Sequence, residues 1–204
     1  MRNIYHSDIY KFDTPVNSYW EDTFSENLNL EKLTKDINSE IVVIGGGYTG
    51  LLCAINLIEN HNLDVILVEA GKIGWGASSR NAGFNCLPPS KMSFKKMQSI
   101  FGREETKKFF KNSVEGSNYT RDIIKEYNID CDVTGENNFV VAHHKNKFEQ
   151  IKEQAEVYKS EFGIETKIYS KEEFNEIGHG GTEQYGAFSY KPGFALNPLK
   201  FING

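Results

Sequence analysis

Cysteine is scarce in this 204-residue chain: Cys53, Cys86 and Cys131 stand far apart and no two form a CxxC pair. That pattern argues against a disulfide framework or a zinc cluster, and a reducing, cytoplasmic setting fits it best. Basic charge is not in excess either. Twenty-three Lys and Arg against 28 Asp and Glu leave a net charge of -5, which disfavours a nucleic-acid-binding surface and membrane attachment by charge. Internal repeats and low-complexity tracts are absent. Residues 41–58 carry no charge over 18 positions, the lower end of membrane-spanning length. Three consecutive glycines, Thr49 and Asn56 weaken that stretch as a lipid-facing helix, and the 40 largely polar residues before it do not read as a signal-peptide h-region.

What remains is a globular composition, 39% hydrophobic, with a length prior of one domain or one and a fraction. Residues 1–39 mix aromatics with polar groups without a sustained period and read as an arm with short helical turns. Residues 41–44, Ile-Val-Val-Ile, form a β-branched run of the kind buried on both faces of a parallel sheet. A helix follows, with Leu51, Leu52, Ile55 and Ile58 on its apolar side and an end at Glu59-Asn60-His61-Asn62. Residues 64–69 are a second strand and 71–89, rich in Gly, Ser, Ala and Asn, an extended loop. Downstream, the pattern predicts a helix over 103–127 with Phe109, Phe110, Val114, Ser117, Thr120, Ile123, Ile124 and Tyr127 on one face. It then predicts a strand over 139–144, a helix over 147–162, a strand over 166–169, a Ser170-x-x-Glu173 capping box opening a short helix, and a final strand over 187–190. Asn197-Pro198 opens a last helix, and the sequence stops within it.

Gly45-Gly46-Gly47-Tyr48-Thr49-Gly50 fits G-x-G-x-x-G between a strand and an amphipathic helix, and Glu69 follows Gly50 by 19 residues. That context marks a dinucleotide-binding βαβ unit. Gly45 permits the turn, Gly47 admits a pyrophosphate to the backbone, Gly50 lets the helix pack closely, and the helix start offers free N–H donors. A glycine turn without a ligand is the plainer alternative, and Glu69, read as a ribose-binding carboxylate, has a solvated strand end as its alternative. Elsewhere the plain readings prevail. His143-His144, neighbours on a strand, point to opposite faces and form no metal pair. Lys91, Lys95, Lys96, Arg103, Lys107, Lys108 and Lys111 read as a solvated helix face, Cys53 as core, and His179-Gly180-Gly181 as a turn.

The segment Gly74-Trp75-Gly76-Ala77-Ser78-Ser79-Arg80-Asn81-Ala82-Gly83-Phe84, together with the strand-turn-helix before it, resembles the D-amino-acid oxidase/glycine oxidase/sarcosine oxidase superfamily, nearest its gamma-glutamylputrescine oxidoreductase-like branch. Residues 17–23 (NSYWEDT), 186–188 (GAF) and 196–200 (LNPLK) add weaker matches. The resemblance implies FAD. It places Gly45, Gly47, Tyr48, Thr49 and Gly50 at the pyrophosphate, Glu69 and Ala70 at the adenosine side, and Gly76, Ala77, Ser78, Arg80, Asn81 and Gly83 along the path to the flavin. For Ser78 a plain polar loop is the alternative, and for Arg80 a surface ion pair.

The fold class is therefore α/β, α+β overall: a Rossmann-like FAD-binding βαβ unit plus part of an antiparallel-sheet substrate domain, incomplete. The implied division is an arm at 1–39, an FAD-binding portion with helical extension at 40–130, a partial substrate domain at 131–192 and a return toward the FAD domain at 193–204. The implied chemistry is oxidation of a C–N bond in a small-molecule amine or amino acid. Family members are longer, so the chain reads as an N-terminal portion that turns over no amine alone, with no general base assignable. The alternatives are a non-catalytic fragment or subunit completed by a partner chain and, more weakly, an NAD-dependent dehydrogenase. No nucleic acid, metal or membrane span is expected.

Overall fold

A computed structural model describes residues 4–204 apart from 16, 26, 27, 29, 88–91 and 179. Among these residues the order of elements is β1 (Ile41–Ile44), α1 (Tyr48–His61), β2 (Val65–Val68), β3 (Phe84–Asn85), α2 (Phe94–Phe101), α3 (Arg103–Glu126), β4 (Asn138–Val141), α4 (Lys145–Phe162), β5 (Thr166–Tyr169), α5 (Lys171–Ile177), β6 (Ala187–Tyr190), β7 (Phe194–Ala195) and α6 (Pro198–Asn203). Single 3-10 turns lie at Ser7–Tyr10, Glu21–Thr23 and Ala77–Ser79. The chain divides into two compact units, residues 1–83 with 129–132 and 196–204, and residues 84–128 with 133–195. No helix of the described residues is long and apolar enough to cross a membrane.

The first unit is built on the parallel pair β1 and β2, registered Ile41↔Val65 to Ile44↔Val68. α1 joins them. It starts after Gly47 without a side-chain cap and ends where Asn62 turns left-handed and its N–H reaches back to the Ile58 carbonyl, a short polar residue taking the position glycine often fills. α6 is capped by Asn197, whose side chain accepts from the N–H groups of Leu199 and Lys200, with Pro198 at the first turn.

The second unit holds the larger core. β6 lies between β4 and β5 in an antiparallel sheet, and all four of its residues are buried. α4 lays Ile151, Ala155 and Tyr158 against it, α3 adds Phe110 and α2 adds Met97. Phe110 stacks on Phe162 at 4.1 Å. β3 and β7 form a separate antiparallel pair, Phe84↔Ala195 and Asn85↔Phe194.

Several expectations are corrected. β1 is not buried on both faces: Val42 and Ile44 are 55% and 86% exposed, whereas Ile41 and Val43 are half-buried, because α1 packs on the Val43 side of the strand and successive side chains point to opposite faces. Cys53 is exposed, since a position next to the buried Ala54 lies about 100° around the helix. The expected apolar face of α3 is only partly inward, with Phe109 and Tyr127 exposed. The strand expected to 144 ends at Val141. His144 instead precedes α4 as its N-cap residue, so the histidine pair is not on a strand. α2 was hidden by its lysines, which mask the spacing of Phe94 and Met97. The segment expected to be all loop contains a 3-10 turn and β3, and β7 follows the strand expected to be last; each is three residues or fewer, too short for a periodic signal. Lys91 and His179 lie outside the described residues.

Candidate dinucleotide-binding site

The site lies entirely in the first unit, where β1 runs into α1. Gly45 has φ +110°, a conformation that favours glycine, and its N–H continues the ladder to the Val68 carbonyl at 2.8 Å. A Cβ on Gly50 would overlap the Gly45 carbonyl oxygen, so α1 approaches the strand end as closely as its sequence permits. At Gly47 a Cβ would lie 2.9 Å from Ser78 Oγ.

Glu69, directly after β2, turns back to this corner. Its Oε2 accepts the Gly46 N–H at 2.6 Å and its Oε1 the Gly71 N–H at 3.0 Å. The carboxylate is thus held beside the glycine turn rather than free in solvent at a strand end. Gly46, an unassigned position of the motif, is the residue that orients it. Across the turn Ser78 Oγ accepts the Tyr48 N–H at 3.1 Å. The Tyr48 ring packs on Phe201 at 5.4 Å, its hydroxyl donates to the Pro198 carbonyl at 3.4 Å, and burial pushes the phenol above its usual range while a hydrogen bond to Asn81 opposes the shift. Thr49 and Ala70 are exposed.

The loop is organised by Asn81. Its Nδ2 donates to the carbonyls of Ser78 at 2.8 Å and Ala77 at 3.3 Å, and its Oδ1 accepts the Gly83 N–H at 2.8 Å. Ser79 is buried, its hydroxyl bonded to the Gly74 and Gly76 carbonyls. A Cβ on Gly83, at φ +74°, would overlap the Leu196 carbonyl oxygen. Arg80 makes no ion pair among the described residues; its guanidinium lies over the Trp75 ring at 4.9 Å and its Nε donates to Gly76 O at 3.3 Å. The structure thus gathers Gly45, Gly47, Tyr48, Gly50, Glu69 and Ser78 at one corner. Gly76, Ala77, Arg80, Asn81 and Gly83 belong to the adjoining loop.

The residues fit a dinucleotide. α1 begins without a side-chain cap, and the N–H groups of Gly47 and Thr49 have no hydrogen-bond partner among the described residues, leaving donors and a positive dipole end for a pyrophosphate. Among the described residues no group of His, Cys, Asp and Glu is placed to hold a metal ion.

A strand, glycine turn and helix with a carboxylate at the end of the next strand define the nucleotide-binding corner of a dinucleotide-dependent oxidoreductase fold. The family described as FAD dependent oxidoreductase (DAO) matches residues 40–204. The chain belongs to that family, whose cofactor is FAD. It is 32% identical over 145 residues to gamma-glutamylputrescine oxidoreductase of Escherichia coli, a match covering 70% of this chain and 34% of that enzyme. Glycine oxidase from Bacillus cereus shares the fold with a TM-score of 0.57 at 15% identity, covering 81% of this chain and 42% of that one. L-amino acid deaminase from Proteus myxofaciens does so at 0.60 and 19%, covering 88% and 39%. The chain spans less than half the length of these relatives.

Proposed function

We propose that this chain carries the FAD-binding corner of an oxidoreductase that oxidises a C–N bond in an amine or amino acid, with gamma-glutamylated diamines as the substrate class. The observation that carries the cofactor assignment is the glycine turn with Glu69 fixed beside it. The chemistry FAD supplies when bound is the two-electron oxidation itself. The chain's own residues bind and orient. The N–H groups at the start of α1 meet the pyrophosphate, the Glu69 carboxylate accepts the ribose hydroxyls, and the loop organised by Asn81 lines the path toward the isoalloxazine. The substrate class is supported by the likeness to the E. coli enzyme, and no residue of this chain is assigned as general base.

The test is a titration of the purified chain with FAD and, separately, with NAD, followed by absorbance and equilibrium dialysis. FAD is expected to bind and NAD not. Tight NAD binding without FAD binding overturns the assignment in favour of a nicotinamide-dependent enzyme. Spectral perturbation of the bound flavin by gamma-glutamylputrescine, against putrescine and glycine, tests the substrate class.

A further inference from the structure

The segment ahead of β1 buries very little of itself. None of its described residues is buried, and Ile4, Tyr5 and Tyr19 are 85%, 66% and 73% exposed. What holds it is a small set of specific contacts, and both tryptophans of the chain are used for them. The Trp20 indole N–H donates to the Asn81 carbonyl at 2.8 Å, and the Trp75 indole N–H donates to the Thr14 carbonyl at 3.2 Å. Phe12 sets its ring edge-on to Trp75 at 5.1 Å. Both bonds therefore fasten the arm to the loop between Gly74 and Gly83.

We propose that the arm is a strap that sets the conformation of this loop, with Trp20 as its positioning residue. The route is short. Trp20 fixes the main chain at Asn81, the Asn81 side chain fixes the Ala77 and Ser78 carbonyls and the Gly83 N–H, and Ser78 Oγ meets the Tyr48 N–H at the first turn of α1. Between Gly76 and Gly83 the loop has one 3-10 turn, and its end is tied by the Leu196 N–H to the Gly83 carbonyl at 2.8 Å, so the fastening at Asn81 limits how many conformations the stretch between them samples. The arm holds the loop in the form that receives the cofactor and lowers the ordering cost of binding. This rests on reading the loop as part of the FAD site.

The test compares the full chain with Trp20→Phe, which keeps a ring and removes the N–H, and Trp20→His, which keeps a ring donor. Amide hydrogen exchange is followed without cofactor, and FAD affinity by titration. Trp20→Phe is expected to speed exchange across residues 77–83 and to weaken FAD binding, each roughly tenfold, as one hydrogen bond of ordinary strength allows. Trp20→His should restore part of both, and exchange in α4 should not change in either variant. Unchanged exchange in 77–83 overturns the strap. Faster exchange with unchanged FAD affinity reduces the arm to a cover and overturns the positioning role. If α4 exchange shows that Trp20→Phe has not folded, Trp75→Phe, which loosens the other fastening, carries the test with the same readouts. FAD binding to no variant and not to the parent chain sinks the cofactor reading, while loop exchange still decides the strap.

Discussion

At the scale of single residues, Glu69 carries the most. Its two oxygens already accept two backbone N–H groups, and each retains lone-pair capacity for ribose hydroxyls. Glu69→Ala is expected to weaken FAD binding by about 1.5–3 kcal/mol, the range for hydrogen bonds to a charged group, measured by flavin fluorescence titration. Glu69→Gln keeps one acceptor and should lose less. Gly47→Val should do worse than either, because its side chain would press on Ser78 Oγ and fill the phosphate approach.

Cys131 supplies a pH dependence at the same scale. Burial, with the charges of Asp132 and Asp130, raises its thiol from 9.0 to about 11. Between those values the folded chain holds a proton that the unfolded chain has released, so stability must fall as pH rises through that window. Denaturation midpoints measured from pH 8 to 11 should decline less steeply for Cys131→Ala. An unchanged slope would place the dependence on other groups. Exposed Cys53 should meanwhile react with a thiol reagent well before buried Cys131.

Among the elements, α5 tests the clearest sequence signal. Ser170 Oγ accepts the Glu173 N–H at 3.2 Å and the Glu173 carboxylate accepts the Ser170 N–H at 2.7 Å. Ser170→Ala should cost about 1 kcal/mol, read as a shift in urea midpoint at constant slope. This element was legible because a cap is a local device: the residues that make it stand three apart. The same holds for α6, where Asn197-Pro198 states its own start, for β5, and for the turn from β1 into α1. What was not legible depended on distant partners. β3 and β7 are two-residue strands that exist through pairing with each other across more than 100 positions of sequence. The fastening of Trp20 to Asn81 spans 61 positions. Asn197 likewise reaches Thr23 and Asp132 through its Nδ2, and nothing in its local pattern announces either. In the candidate site, the glycines and Glu69 were readable from spacing. Gly46 as the donor that turns Glu69 inward was not.

On the scale of the whole molecule, apolar burial is uneven. The contiguous cluster of buried side chains lies in the second unit, from Leu87 through Phe110 and Tyr158 to Tyr190, whereas α1 in the first unit buries only Ala54. β1 shows the consequence most directly. Val42 and Ile44 are two apart, hence on one face of the strand, and both are largely exposed, while Ile41 and Val43 on the other face are half-buried. A β-branched pair exposed on a strand that pairs along one edge among the described residues is a site for self-association. Ile44→Lys should therefore leave the unfolding free energy from urea titration within about 0.5 kcal/mol of the parent, as for a surface substitution. It should also lower binding of an apolar dye and shift the sedimentation profile toward smaller species. Val43→Lys, on the inward face, should destabilise by several times as much, since it places a charge against α1 without a partner. A large loss of stability from Ile44→Lys would mean that this face is covered in solution, and the dye and sedimentation profiles of the parent chain would show it.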